Sequence, residues 1–462
     1  MKVQNDFSKG QMWRVILRMA LPMMLAQLVN VLYNIVDRMY IGHMADVGAL
    51  ALTGLGLCMP IVSLVTACAS LCGVGGGPLC SIARGRGDLD YAERVMGNAF
   101  ALLLALGVAL TIGLELSLRP VLYLLRASDV TYPYAAQYAR IYLVGTVFVM
   151  VSLGMNYFIN AQGFARIGML TVTIGAVLNI ILDPIFIFAL DMGISGAALA
   201  TVISQAASAV WAMQFLLSRR AILDLKLKNL MPRRDVLPRI LKLGMTGFVM
   251  NITNCIVQIA SNVQLAAYGG DLGDLYIGAM TVINSVHEVP FMVNSGLRDG
   301  AQPVISYNYG AGIYSRVKQG IRFLSCASVA YAGAMWLCIM LFTRVIVSVF
   351  NSEPAMLTVA VPSMRIYFCG FIFMSLMMAG QGVFLSLGRS GSAVTFSLLR
   401  KIVIVVPLIF LLPGVGGMGA VGVFWAEPIS DLVGGAACYL TMYFTVYRKL
   451  GADQPVRKEE SV

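Results

Sequence analysis

Six acidic residues lie within long apolar stretches of this sequence, where a charged side chain is unfavourable. They are Asp37, Asp183, Glu288, Asp299, Glu427 and Asp431. An Asp or a Lys at the centre of a bilayer costs about 2.5–3.5 kcal/mol on insertion scales. Such residues generally face the protein interior and take part in binding or moving ions and substrates. The pattern therefore points to transport chemistry inside a membrane.

The first half of the chain offers a set of hard oxygen ligands. They are Asp37, Asn156, Asn179, Asp183 and Thr201. Asn179 and Asp183 are four residues apart, so a helix places both side chains on one face. Pro184 follows directly and removes a backbone donor, which frees a carbonyl oxygen. Such oxygens suit Na⁺, and a pair of buried carboxylates suits H⁺ equally. The alternative is that each carboxylate only makes hydrogen bonds between helices.

Pro22 lies in the first apolar run, about four helical turns before Asp37. A proline inside a helix generally produces a kink. We expect the first helix to bend here, and a change in that bend would couple to the charge of Asp37. The alternative is a static kink. In the second half, Glu288, Glu427 and Asp431 remain candidates for a further cation site.

The composition excludes most soluble classes of protein. The chain has 462 residues, of which 59% are hydrophobic and 12% charged, with a mean hydropathy of +0.81. Soluble domains carry about 25% charged residues. The net charge of +11 occurs in short clusters between apolar runs, so nucleic-acid binding is not expected. Nine Cys without a C-x-x-C pair and only two His predict no metal cofactor, and no constellation for catalysis is apparent, so no enzyme is predicted.

Twelve apolar runs reach the length of about 20 residues that a spanning helix needs. They are 14–38, 50–80, 94–118, 132–158, 166–189, 193–217, 238–266, 275–305, 319–342, 358–386, 391–412 and 418–446. The sequence thus predicts an all-α integral membrane protein. If the N-terminus is cytoplasmic, most of the 33 Lys and Arg residues, with Arg400 and Lys401 among them, face the cytoplasm. Both termini are therefore predicted to lie inside, and Arg298 is the one Arg placed within a span.

The two halves of the chain resemble each other. Segment 163–169 aligns with 386–392, and the same offset places Pro184 over Pro407. Chance similarity among Gly-rich apolar segments is the alternative to duplication. Six spans in each half give parallel repeats that form two lobes around a central cleft. The predicted divisions are an N-lobe at 1–217, a cytoplasmic linker at 218–237, a C-lobe at 238–447 and a cytoplasmic tail at 448–462.

Four segments resemble the multidrug and toxic compound extrusion (MATE) family, in particular its bacterial DinF and MepA-like branch. They are MALPMMLAQLVNVLYNIVDRMYIGHM at 19–44, RIGMLTVTIGAVLNIILDPIFIF at 166–188, MGISGAALATVISQ at 192–205 and QPVISYNYGAG at 302–312. The resemblance implies a cation site in the N-lobe formed by Asp37, Asn179, Asp183 and Thr201, with Asn156 and Tyr138 in the same network. Other members carry a Glu on the seventh helix for Na⁺, and the run 238–266 has none.

The resemblance implies a monomeric antiporter of the bacterial inner membrane. It would export an organic, cationic and amphipathic compound in exchange for H⁺ or Na⁺, with Met and aromatic side chains supplying apolar contact. One alternative is a flippase of lipid-linked oligosaccharides or other lipids from the same superfamily, which predicts a cleft rich in Arg. A channel or a membrane enzyme is a further alternative class.

Overall fold

The structure is a computed structural model, and it describes residues 6–42, 44, 48–125, 127–351 and 353–451. Within these ranges the regular elements are helices and no strand occurs, which confirms the predicted all-α class. Part of the predicted tail, 452–462, lies outside the described residues. The α-helices of the described ranges are α1 Met12–Gly42, α2 Gly48–Gly85, α3 Leu89–Leu116, α4 Leu118–Leu124, α5 Tyr132–Val144, α6 Thr146–Ala161, α7 Ala165–Pro184, α8 Gly193–Leu216, α9 Leu237–Tyr268, α10 Gly273–Gly310, α11 Tyr314–Phe350, α12 Pro354–Phe368, α13 Phe371–Ser386, α14 Ser390–Leu398, α15 Val406–Leu411 and α16 Val421–Thr445.

Short non-α helices occur at a few places. Two π-helical segments are Ile185–Ala189, after α7, and Leu399–Val405, between α14 and α15. The 3-10 turns are Leu227–Asn229, Gly270–Leu272, Leu412–Gly414 and Tyr447–Lys449. Isolated π-helical turns are rare and occur frequently at functional sites. Each of the two segments lies in the fifth span of its half.

Every predicted span coincides with a helix or a broken helix. In the described part of the chain, nine helices are long and apolar enough to cross a membrane, and two bent pairs raise this number to eleven. The remaining predicted span, 275–305, coincides with α10, which has 38 residues and contains Glu288, Arg298 and Asp299.

The two bent pairs occupy equivalent positions in the two halves. The pair α5 and α6 is bent by 56°, and the pair α12 and α13 is bent by 43°. At both breaks a glycine lies against the last long helix of its own half. A Cβ atom at Gly145 would lie 2.5 Å from Val202 Cγ2 of α8, and one at Gly370 would lie 2.6 Å from Pro428 Cα of α16. Small residues allow helices to approach this closely.

The chain forms two compact units. One contains Leu21–Phe248 and residues 6–9, and the other contains Gly10–Ala20 and residues 249–451. Each unit holds one bent pair and one π-helical segment. Repetition of both irregularities in the same order supports the predicted duplication. The predicted lobe boundaries at 217 and 238 stay a prediction.

Buried polar side chains hold the segment after α8 against the first unit. Gln162 Oε1 accepts hydrogen bonds from the backbone N–H groups of Ile222 and Leu223 at 2.8 and 3.0 Å. Lys226 Nζ lies 2.7 Å from Glu93 Oε2, and this hydrogen bond raises the pKa of Lys226. These contacts join the predicted linker to α3 and α6.

Candidate functional site

The end of α7 brings two predicted ligands to one buried face. Asn179 is 1% exposed and Asp183 is fully buried, as their spacing of four residues predicts. Pro184 ends α7 and cannot donate to the preceding turn, and the π-helical segment Ile185–Ala189 begins directly after it. The local sequence therefore produces both the shared face and the irregular backbone beside it.

Hydrogen bonds connect these two residues to α8. Asn179 Nδ2 donates to Asp183 Oδ1 at 3.3 Å and to Thr201 Oγ1 at 3.4 Å. Thr201 Oγ1 in turn donates to the backbone oxygen of Ala197 at 3.0 Å. The hydroxyl proton of Thr201 is thereby used within α8, so its oxygen presents a lone pair to the cluster.

Asp37 of α1 completes the cluster. Its side chain is buried, and its carboxyl group lies near enough to that of Asp183 for the two to interact. Two neighbouring carboxylates repel each other unless a proton or a cation lies between them. The structure therefore brings four predicted ligands, Asp37, Asn179, Asp183 and Thr201, into one group. Their role as ligands stays a prediction.

Several buried oxygen atoms in this region accept no hydrogen bond from the described residues. They are Asp37 Oδ1, Asn156 Oδ1, Asn160 Oδ1, Asn179 Oδ1, Asp183 Oδ2 and Ser204 Oγ. Buried polar atoms without a partner are uncommon in folded proteins. Three of the atoms belong to the Asp37, Asn179 and Asp183 group. Such acceptors, with two of them on carboxyl groups, are suited to a cation or a proton.

Two tyrosines lie beside the acidic pair. Tyr138 of α5 is buried, its ring is stacked on that of Tyr142 with centroids 6.1 Å apart, and it lies near Asp37. Tyr33 of α1 has the same relation to both Asp37 and Asp183. Tyr138 follows from the family resemblance, whereas Tyr33 was missed. Its position four residues before Asp37, on the same helix face, was the available signal.

Asn156 and Pro22 make no hydrogen bond to Asp37, Asn179, Asp183 or Thr201 in the described part of the chain. Asn156 lines a cavity of about 40 Å³ together with Tyr33 and Gln205, and its Oδ1 faces Gly168. Asn160, which sequence reasoning did not select, faces the same glycine. Pro22 lies inside α1, which is assigned as one helix from Met12 to Gly42. The predicted bending role of Pro22 stays a prediction.

The acidic candidates of the second half have different surroundings. Glu427 and Asp431 lie four residues apart on α16 and contact the basic residues of the π-helical segment Leu399–Val405. Arg400 pairs with Asp431 and lies 3.0 Å from Glu427, and Lys401 Nζ lies 2.7 Å from Glu427. Neither carboxylate is thus an uncompensated charge.

The placement of Arg400 and Lys401 on the cytoplasmic side was wrong. Both residues lie in the middle of the apolar span Ser390–Gly414, and Arg400 is only 7% exposed. Arg298 is therefore not the one Arg within a span. Counting basic residues by position along the chain cannot detect carboxylates on another helix that neutralise them.

Glu288 and Asp299 of α10 also differ from each other. Glu288 is exposed and lines a cavity of about 320 Å³ in the second unit, together with Glu427 and Asp431. Asp299 lies 2.9 Å from Arg298, its neighbour in the chain. Glu288 therefore stays a candidate for contact with a ligand, whereas the Asp299 charge is locally compensated.

Comparison with known proteins agrees with the helical fold and its internal repeat. The MatE family model matches residues 22–185 and again residues 248–411. The multidrug export protein MepA of Staphylococcus saprophyticus is 25% identical over 446 residues, which cover 95% of each chain. That of Staphylococcus haemolyticus is 26% identical, covering 96% of this chain and 94% of its own. A structure described as the outward-facing conformation of a multidrug resistance MATE family transporter superposes with a TM-score of 0.90 at 23% identity, covering 97% of this chain and 98% of that one.

The spans, the repeated halves and these similarities define a multi-pass membrane protein with the fold of MATE transporters. The chain belongs to the MatE family, whose model matches it once in each half. The predicted family resemblance is confirmed.

Proposed function

We propose that this protein exports small organic compounds by secondary active antiport, coupled to inward movement of H⁺ or Na⁺. The single observation that carries the proposal is the buried pair Asp37 and Asp183, whose carboxyl groups lie together and keep one unpartnered oxygen each among the described residues. Two relatives described as multidrug export proteins support the choice of substrate.

The cation site works through the charge of the acidic pair. At about 4 Å and an effective dielectric constant of about 20, two like charges repel by about 4 kcal/mol. A proton or a Na⁺ ion removes this repulsion, with Asn179 and Thr201 supplying neutral oxygens. Because Asp37 lies on α1 and Asp183 on α7, binding and release of the cation favour different positions of these helices. A substrate that binds better to one arrangement is then exchanged for the cation.

Pro22 gives α1 a place at which to change its curvature. A proline leaves the carbonyl of the preceding turn without its helical partner, so bending there breaks no further hydrogen bond. The side chain of Asp37 moves with the part of α1 that follows Pro22. We therefore assign Pro22 a role in coupling cation binding to helix movement.

The protein is proposed to lie in a bacterial cytoplasmic membrane with both termini inside. The correction of Arg400 and Lys401 lowers the cytoplasmic count by only two residues. Clusters such as Arg84 with Arg86 and Arg219 with Arg220 still lie on one side of the predicted topology. We propose that it acts as a monomer.

A lipid flippase is not favoured. That alternative predicted an excess of Arg for diphosphate groups. Arg400 adds a buried Arg, but Glu427 and Asp431 neutralise it together with Lys401. The cluster therefore leaves only Arg400 Nε and part of Lys401 Nζ unpaired among the described residues, which is fewer donors than a diphosphate with several negative charges requires.

Transport by the purified protein in proteoliposomes tests the proposal. Export of ethidium is measured with a pH gradient alone, with a Na⁺ gradient alone and with neither. We expect accumulation against the ethidium gradient with one of the two cation gradients, which identifies the coupling ion. The matched control is Asp235→Asn, an exposed acidic residue remote from the acidic pair in sequence. Equal flux under all three conditions would show a uniporter or channel and reject antiport.

A further inference from the structure

A second buried ionic cluster lies in the unit that contains residues 249–451. Its members alternate in charge, from Lys401 through Glu427 and Arg400 to Asp431. Lys401 Nζ and Glu427 Oε1 are 2.7 Å apart, and Arg400 Nη1 is 3.0 Å from Glu427 Oε2 and contacts Asp431 Oδ1. Their side chains are 7–13% exposed. Ion pairs buried in this way rarely improve stability over apolar packing, so a function is a better reason for their presence.

The π-helical segment Leu399–Val405 aims two successive side chains at one partner. On a regular α-helix, successive side chains diverge by about 100°. Arg400 and Lys401 are adjacent in the chain, yet both contact Glu427. Ser430 Oγ donates to the backbone oxygen of Arg400 at 3.2 Å and fixes the segment against α16. The π-helical segment therefore directs the Arg400 and Lys401 side chains to the same carboxylate, that of Glu427.

The hydrogen-bonding capacity that this cluster leaves unused includes a buried donor. Glu427 accepts on both carboxylate oxygens. Arg400 is 93% buried, and its Nε donates to no acceptor in the described ranges. Lys401 Nζ has three protons and makes one hydrogen bond to the described residues. A buried guanidinium N–H without an acceptor is unfavourable, so a ligand that supplies an acceptor would stabilise the cluster.

A cavity of about 320 Å³ adjoins this cluster, since Arg400 and Lys401 both line it. This volume lies at the lower end of the range for small-molecule sites. Much of the remaining wall is aromatic or made of flexible thioethers: Met280, Phe291, Met292, Tyr367, Phe371 and Met374. Such walls adapt to apolar groups of various shapes.

We propose that this cavity binds an amphipathic organic anion. A carboxylate or similar oxyanion of the ligand accepts hydrogen bonds from Arg400 Nε and Lys401 Nζ, and its apolar part packs against Phe291 and Phe371. The site goes beyond the proposed function because it is separate from the Asp37 and Asp183 pair and takes ligands of the opposite charge. It does not depend on which cation drives transport. Glu288, the exposed acid of the lining, makes an organic cation the competing ligand.

Equilibrium binding to the full-length protein in lipid nanodiscs tests this proposal without any ion gradient. Three probes of similar size are compared by calorimetry: naphthoate, naphthamide and naphthylmethylammonium. They differ mainly in the charge of one substituent. We expect naphthoate to bind at least about tenfold more tightly than naphthamide, as a charge-assisted hydrogen bond implies, and naphthylmethylammonium to bind more weakly still.

Two variants locate the binding. Arg400→Lys keeps the charge beside Asp431 but removes the Nε donor, and should weaken naphthoate binding about tenfold. Arg400→Gln combined with Asp431→Asn removes opposite charges together and should abolish the preference for naphthoate over naphthamide. Asp235→Asn is the control and should bind as the unaltered protein does.

Three results would overturn the proposal. One is equal or tighter binding of naphthylmethylammonium to the unaltered protein. Another is the absence of measurable naphthoate binding. The third is unchanged naphthoate binding in both Arg400 variants. A loss of ethidium export in proteoliposomes has no bearing on this outcome, so failure of antiport and failure of the anion site are distinguishable.

Discussion

The two polar clusters of this protein have opposite chemistry in similar surroundings. Each lies where the fifth and last spans of its half meet, beside a π-helical segment. In the first unit the buried atoms without a described partner are oxygens, among them Asp37 Oδ1 and Asp183 Oδ2. In the second, the buried atom of the ionic cluster that lacks a described partner is a nitrogen, Arg400 Nε. The cluster of the first unit thus presents acceptors suited to a cation, and the ionic cluster of the second unit presents a donor suited to an anion.

The difference shows which features a duplicated fold retains. Both halves keep a bent helix pair, a glycine at the bend and a π-helical segment in the fifth span. The ionic side chains differ. Arg400 and Lys401 neutralise the acids of α16, whereas Asp37 and Asp183 interact with each other. Backbone irregularities are fixed by packing, while the charges on them are free to diverge.

Substitution of Asp183 should have the largest effect. Asp183→Asn keeps the size of the side chain and its place beside Asn179 but removes the charge that a cation must compensate. We expect gradient-driven ethidium export in proteoliposomes to fall to the level of protein-free vesicles. Asp235→Asn serves as the matched control. Export at the unaltered rate would exclude Asp183 from coupling and would end the contrast between the two clusters.

Substitutions in the two clusters should change the Tm in opposite directions. Arg400→Met removes the basic partner of Asp431 and leaves Glu427 paired with Lys401. Breaking such a buried network costs about 3–5 kcal/mol. Asp183→Asn instead removes a repulsion, so its Tm should equal or exceed that of the unaltered protein at neutral pH and low Na⁺. The measurement is thermal unfolding of the two purified variants in the same detergent. A fall in Tm for Asp183→Asn as large as that for Arg400→Met would mean that both clusters are structural.

Substitution of Pro22 should give the smallest change. Pro22→Ala restores a helical hydrogen bond and favours a straight α1, so ethidium export should slow by a few-fold if bending accompanies transport. The rate of export under a saturating gradient is the measurement. Leu21→Ala, an exposed neighbour, is the matched control. An unchanged rate would assign Pro22 a static kink.

The sequence alone determined the membrane architecture and half of the first site. Long apolar runs identify spanning helices because the surface that contacts lipid must be apolar. A spacing of four residues places Asn179 and Asp183 on one helix face because helical periodicity is local. The resemblance to a known family added Tyr138 to this region.

Only the tertiary structure decided the contacts between distant helices. Asp37 meets Asp183, and Arg400 meets Asp431, across separate helices whose packing depends on many side chains at once. For this reason Arg400 and Lys401 were mistaken for cytoplasmic residues, and Tyr33, Asn160 and Ser204 were missed. A charge is unfavourable in a membrane when it has no partner of opposite charge. Which residue provides that partner is determined by the folded chain.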